Sequence, residues 1–108
     1  KQIGAVDIGQ CVVVKDRVIV AVEAVEGTDG AIRRGGELAH GGAVVVKRCK
    51  PQQDLRFDLP AVGPRTIEVM ETVKASVLAL EAGRGILLDR DDTIAKANRA
   101  GIAIVGMT

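Results

Sequence analysis

Asp54, Arg56 and Asp58 occupy alternate positions of the segment Asp54-Leu55-Arg56-Phe57-Asp58-Leu59. Strict alternation of polar and apolar residues predicts an extended segment with the three charges on one face. Alternate side chains then stand roughly 6.6–6.8 Å apart, twice the rise per residue. Two carboxylates flanking a guanidinium could hold Mg2+ and steady a phosphate together, because Mg2+ takes one or two carboxylates and completes its shell with water and substrate oxygens. The same pattern suits an edge strand with a ladder of ion pairs on its wet face.

Four further polar groups fall where strands should end and helices begin: Glu26-Gly27-Thr28-Asp29, Lys47 to Lys50, Gly63-Pro64-Arg65-Thr66 and Glu81. Ligands of open α/β sheets gather at such places, and helix starts at Thr28 and Gly63 would offer free backbone N–H groups to an anion. Residues 33–65 hold seven cations against three carboxylates, a local +4 set against −3 for the rest of the chain. A small phosphorylated ligand suits that segment, and so does a solvated surface. Other chemistry finds no support. Gly83-Arg84-Gly85 lacks the third glycine of a dinucleotide fingerprint, and no Walker motif is present. His40 sits beside Gly41-Gly42 with no Ser or Cys nearby, as a surface turn histidine would, and Ser76 shows no nucleophile-elbow pattern.

The elements that must position these groups follow from composition and period. The 108 residues suit one domain, and 47% of them are hydrophobic with a single aromatic, Phe57. Val, Ile and Ala dominate, as in strands buried on both faces. Two apolar runs, Val12–Lys15 and Val18–Glu23, flank Asp16-Arg17 as a hairpin. Thr28 stands as N-cap of a helix through Ala31, Ile32, Arg34 and Leu38, and Ala43–Arg48 follows as a strand. Pro64 opens a second helix burying Ile67, Met70 and Val73. Val77–Leu80 and Gly85–Leu88 form a second strand pair, Asp91-Asp92 start a third helix ended by Gly101, and Ile102–Val105 is the last strand. The class is α/β: a mixed, partly parallel sheet built from two hairpin–helix–strand units, with helices packed on it.

A net charge of +1 and the lack of aromatic platforms exclude nucleic acid as the main partner. No apolar run approaches the roughly 20 residues of a membrane span. Cys11 and Cys49 lack metal-site spacing and read as buried, reduced thiols, consistent with a cytoplasmic setting. The chain starts at Lys1 without Met, as one domain of a longer protein would.

Blocks of the sequence resemble one family. They are Asp7-Ile8-Gly9-Gln10 running into Val12-Val13-Val14, Val22-Glu23-Ala24-Val25-Glu26-Gly27-Thr28-Asp29 with Ile32-Arg33-Arg34, and Lys47 with Lys50-Pro51. Gln53-Asp54-Leu55-Arg56-Phe57-Asp58-Leu59-Pro60, Val62-Gly63-Pro64-Arg65-Thr66 and Leu80-Glu81-Ala82-Gly83 continue the series in order. The chain thus resembles the C-terminal half of UDP-2,3-diacylglucosamine pyrophosphatases of the LpxI type. The resemblance implies Mg2+-dependent hydrolysis of that nucleotide-lipid to UMP and 2,3-diacylglucosamine 1-phosphate (lipid X) in lipid A biosynthesis. It implies two domains enclosing the substrate, so that residues 1–108 form the catalytic half and are inactive alone. Asp54 matches the essential aspartate. Asp58 or Asp29 is the expected helper in holding Mg2+ or orienting water. Glu26, Gly27, Thr28, Lys47, Lys50, Gln53, Arg56, Gly63, Arg65 and Thr66 are the expected substrate contacts. The alternative from a different class is a non-catalytic domain that binds a small phosphorylated anion. Peripheral contact with the inner face of the inner membrane, and a homodimer, stay open.

Overall fold

The computed structural model describes residues 11–23, 27–47, 61–81 and 86–107. Strand β1 (Cys11–Lys15) turns into β2 (Val18–Val22), helix α1 (Gly27–Ala39) leads to β3 (Val44–Lys47), and β4 (Ala61–Val62) precedes α2 (Pro64–Thr72). Then come β5 (Val77–Glu81), β6 (Ile86–Leu87), α3 (Arg90–Ala100) and β7 (Ala103–Met107). The main sheet has the order β2-β1-β3-β5-β7. Strand β1 is antiparallel to both neighbours, whereas β3, β5 and β7 run parallel. This is the mixed α/β sheet anticipated from sequence.

The first hairpin closes as expected. Lys15 pairs with Val18, and Asp16 and Arg17 both have positive φ, 52° and 70°, the pattern of a tight two-residue turn whose twist matches the strands. A bulge between Val13 and Val14 shifts the register of β1 on β2. The second expected hairpin does not form. Strand β5 enters the main sheet between β3 and β7, while β6 pairs in parallel with β4 as a separate two-stranded sheet. Adjacent short strands pair only when the turn between them returns the chain, and here each finds a partner distant in sequence.

The connections from β2 to β3, β3 to β5 and β5 to β7 all step the same way across the sheet. Right-handed crossovers that share one direction place their helices on one face. Helix α1 accordingly packs on β1 and β2, α2 on α1 and α3, and α3 on β7. Ala21, Val13, Val45, Leu78 and Ile104 form a row of paired positions toward these helices, and all belong to or pack against the core. Ile32, Ile67, Met70 and Ala97 complete the core from the helical side. The adjacent row, Val22, Val12, Val46, Ala79 and Val105, faces the other way.

Close approach sets the depth of α1. A Cβ added at Gly35 would lie 2.6 Å from Val13 Cβ and 2.9 Å from Ala21 Cβ. One added at Gly36 would lie 2.4 Å from Val73 Cβ. Two glycines inside a helix cost about 1 kcal/mol each against alanine. They let α1 settle on the sheet and against α2, and that seating carries the first turn of α1 over the carboxyl end of β3.

Candidate functional site

Lys47 is the last residue of β3, paired with Cys11 on one side and Leu80 on the other. Its side chain shares the helix-facing side of the sheet with Val45 and is only 5% exposed. A lysine at this depth needs a polar partner, because an isolated buried charge is strongly disfavoured. That partner comes from the first turn of α1. Lys47 Nζ donates to Thr28 Oγ1 at 3.0 Å, and the Thr28 hydroxyl donates in turn to Glu23 Oε1 at 2.9 Å. Glu23 follows β2 and is fixed through its backbone, whose N–H donates to the Cys11 carbonyl at 2.8 Å. Strand ends and a helix start are thereby tied into one relay, Lys47 to Thr28 to Glu23.

The starts of α1 and α2 are also linked. Arg65, in the first turn of α2, donates from Nε to Asp29 Oδ2 at 2.9 Å, with the arginine largely exposed. Gly63 precedes α2 in extended backbone without a side-chain cap, and its carbonyl accepts from the N–H of Thr66 at 3.1 Å. Among the residues expected from sequence to contact a ligand, Gly27, Thr28, Asp29, Lys47, Gly63, Arg65 and Thr66 lie in the described part. Thr28 and Lys47 are joined directly, as are Asp29 and Arg65. Glu26, Lys50, Gln53, Asp54, Arg56 and Asp58 lie outside the described residues, as do Cys49 and Phe57.

One local expectation changes. Thr28 lies inside the first turn of α1, which starts at Gly27, and spends its hydroxyl on Lys47 and Glu23 instead of serving as N-cap. A buried ammonium and a neighbouring carboxylate outcompete the local backbone for that oxygen. Glu23 itself was not singled out from sequence. The available signal was its place as the charged residue that ends the apolar run of β2.

Cys11 lies beside this cluster, buried and free. Burial pushes its thiol up to about 12; Lys47 opposes that shift, while Glu23 and Asp29 add to it. The thiol therefore stays protonated near neutral pH and is no nucleophile there. His40 is an exposed turn residue with φ 58°, in keeping with its sequence context. Arg33 and Arg34 are exposed on α1, with Arg34 donating to the Val22 carbonyl. Among the described residues no group of three His, Cys, Asp or Glu side chains could hold a metal ion, and no helix is long and apolar enough to cross a membrane.

The cluster offers a fixed cation, a hydroxyl and the start of a helix at the carboxyl end of a parallel strand. Such a set binds and polarises phosphate oxygens. It carries no activated nucleophile of its own among the described residues.

The family model described as the LpxI C-terminal domain matches residues 1–105. The UDP-2,3-diacylglucosamine pyrophosphatase LpxI of Caulobacter vibrioides is 38% identical over 115 aligned positions, which cover 99% of this chain and 41% of that protein. The chain therefore spans about two fifths of that relative's length. Among solved structures, RibD of Acinetobacter baumannii aligns with a TM-score of 0.52 at 16% identity, over 89% of this chain and 27% of that one. At that identity the likeness concerns the fold alone.

Proposed function

Because the chain belongs to the LpxI C-terminal domain family, we propose that it supplies the phosphate-handling half of a pyrophosphatase acting on UDP-2,3-diacylglucosamine in lipid A biosynthesis. The observation that carries this reading is Lys47. It is buried at the carboxyl end of β3, and its one hydrogen bond among the described residues goes to a neutral hydroxyl. A cation held in place by a hydroxyl, with no carboxylate in direct contact among the described residues, is suited to a pyrophosphate oxygen.

Hydrolysis of a pyrophosphate joins a water oxygen to one phosphorus while the bridging P–O bond breaks, giving UMP and 2,3-diacylglucosamine 1-phosphate. Negative charge builds on the bridging and terminal oxygens as this happens. Lys47, fixed by Thr28, stabilises that charge without reorganising. The N–H groups in the first turn of α1, beyond Gly27, add fixed donors. Arg65 is steadied by Asp29 at the mouth of the site and takes a second phosphate. Lys50 and Arg56 supply further positive charge, Glu26, Gln53, Gly63 and Thr66 complete the contacts to substrate, and Asp54 orients the attacking water. Mg2+ belongs to the proposal through Asp54 and Asp58, and when bound it would supply charge neutralisation. With an ion pair to Arg65, Asp29 serves to position that guanidinium.

Separate activity of this portion is not expected, because a substrate enclosed by two domains needs both. The test uses the full-length protein with UDP-2,3-diacylglucosamine and Mg2+. Asp54→Ala should reduce UMP release at least a hundredfold, the scale on which loss of one transition-state contact acts. Turnover near the unsubstituted rate would remove Asp54 from the chemistry and favour a non-catalytic anion-binding domain.

A further inference from the structure

The Thr28 hydroxyl stands between two groups of opposite charge. It accepts from Lys47 Nζ at 3.0 Å and donates to Glu23 Oε1 at 2.9 Å. A hydroxyl has a single proton, so donation to Glu23 leaves lone pairs for the lysine. Turned the other way, the O–H dipole would point at a buried ammonium. The orientation on which Lys47 depends is therefore decided at Glu23. No other described carboxylate is given this task, since Asp29 is committed to Arg65 at 2.9 Å. The main chain fixes both ends of the relay at one residue. The Glu23 N–H donates to the Cys11 carbonyl at 2.8 Å, and Cys11 pairs with Lys47 across β1 and β3.

We propose that Glu23 is a positioning residue of the site, which aims the Lys47 ammonium at the phosphate through the Thr28 hydroxyl. This rests on the reading of Lys47 as a phosphate-binding cation and adds the residue on which its alignment depends. Glu23 itself touches neither substrate nor water. One hydroxyl separates it from the ammonium, so the lysine is held without a direct ion pair among the described residues. A direct pair would satisfy the ammonium and compete with a ligand oxygen. The carboxylate acts here as an acceptor. Glutamine keeps a carbonyl oxygen at the same reach and retains most of the effect, whereas methionine fills similar volume and accepts only weakly.

Two measurements on the full-length protein test this. In proton–nitrogen NMR spectra of lysine ammonium groups, Lys47 should give a resolved signal, assigned by its loss in Lys47→Met. That signal should persist in Glu23→Gln and vanish in Glu23→Met. With UDP-2,3-diacylglucosamine and Mg2+, Glu23→Met should lower the kcat of UMP release about tenfold to thirtyfold with KM within about twofold, because the alignment it disturbs counts in the transition state. Glu23→Gln should keep kcat within about threefold of the parent, and Glu23→Met added to Lys47→Met should cost less than about twofold more. A Lys47 signal that is absent from the parent or unchanged in Glu23→Met overturns the proposal. So does a kcat near the parent's in Glu23→Met, or a full cost of that change in the Lys47→Met background, as a merely structural glutamate would show. Should Glu23→Met lose its far-UV circular dichroism, Thr28→Val cuts the relay at its centre, and an unchanged Lys47 signal there overturns the proposal equally. Signals that behave as expected in a parent that releases no UMP would instead refute the substrate reading and leave Glu23 as the residue that aims Lys47.

Discussion

Replacing Lys47 with Met separates a functional lysine from a structural one, because the two roles predict opposite balances. Lys47 is 5% exposed, and its Nζ makes one hydrogen bond among the described residues, to Thr28. Losing that charge-assisted bond costs about 1.5–3 kcal/mol. Against it stands the desolvation of a buried ammonium, worth several kcal/mol even after relaxation. Methionine keeps a similar volume beside Cys11 and Leu80, and Thr28 can still donate to Glu23. The net expectation is a protein as stable as the parent or about 1–2 kcal/mol more stable. Activity should move the other way, falling about 100- to 1,000-fold in kcat, the range for removing one fixed oxyanion contact. Urea unfolding of Lys47→Met and its rate of UMP release, both in the full-length protein, give the two numbers. A variant that loses more than about 2 kcal/mol of stability, yet turns over normally while folded, would make Lys47 a structural residue and remove the basis of the proposed site.

Gly36→Ala should destabilise the fold by about 1–3 kcal/mol in urea titration, since the new Cβ lies 2.4 Å from Val73 Cβ and no rotamer change relieves that contact, which outweighs the gain in helix propensity. Arg17→Gly should stabilise by about 1 kcal/mol and raise Tm, because Arg17 holds a φ of 70° that glycine adopts without strain. Cys11 makes stability depend on pH in a defined sense. Its thiol titrates at about 12 in the fold against 9.0 for the ordinary group, so its contribution is complete below pH 9 and is lost as pH rises toward 12. The slope is about 1.4 kcal/mol per pH unit, and Cys11→Ala should flatten it in unfolding curves taken from pH 8.5 to 11.

The first half of the fold was legible because its signals are local. Asp16-Arg17 between two apolar runs, and the apolar pair Ala31-Ile32 after Thr28, need no knowledge of distant residues, whereas Leu38, read with them, stands exposed while Ala39 is buried in its place. The pairing of β5 and β6 is not legible there, for the opposite reason. Each strand is paired by a partner far along the chain, β6 with β4 and β5 with β3 and β7, and local period carries no such information. Lys47 and Thr28 were identified as separate contacts, each from its place at the end of an element. Their union with Glu23 depends on how deeply Gly35 and Gly36 let α1 sit, a tertiary quantity. The Asp29–Arg65 pair likewise joins two helix starts that sequence places 36 positions apart.

The most direct test of the central claim is product analysis by phosphorus NMR, with the full-length protein, UDP-2,3-diacylglucosamine and Mg2+. Resonances of UMP and 2,3-diacylglucosamine 1-phosphate should appear in equal amounts as the pyrophosphate signals fade, and both should be lost with Asp54→Ala and strongly slowed with Lys47→Met. An intact pyrophosphate, or cleavage to UDP and the free sugar lipid, would contradict it.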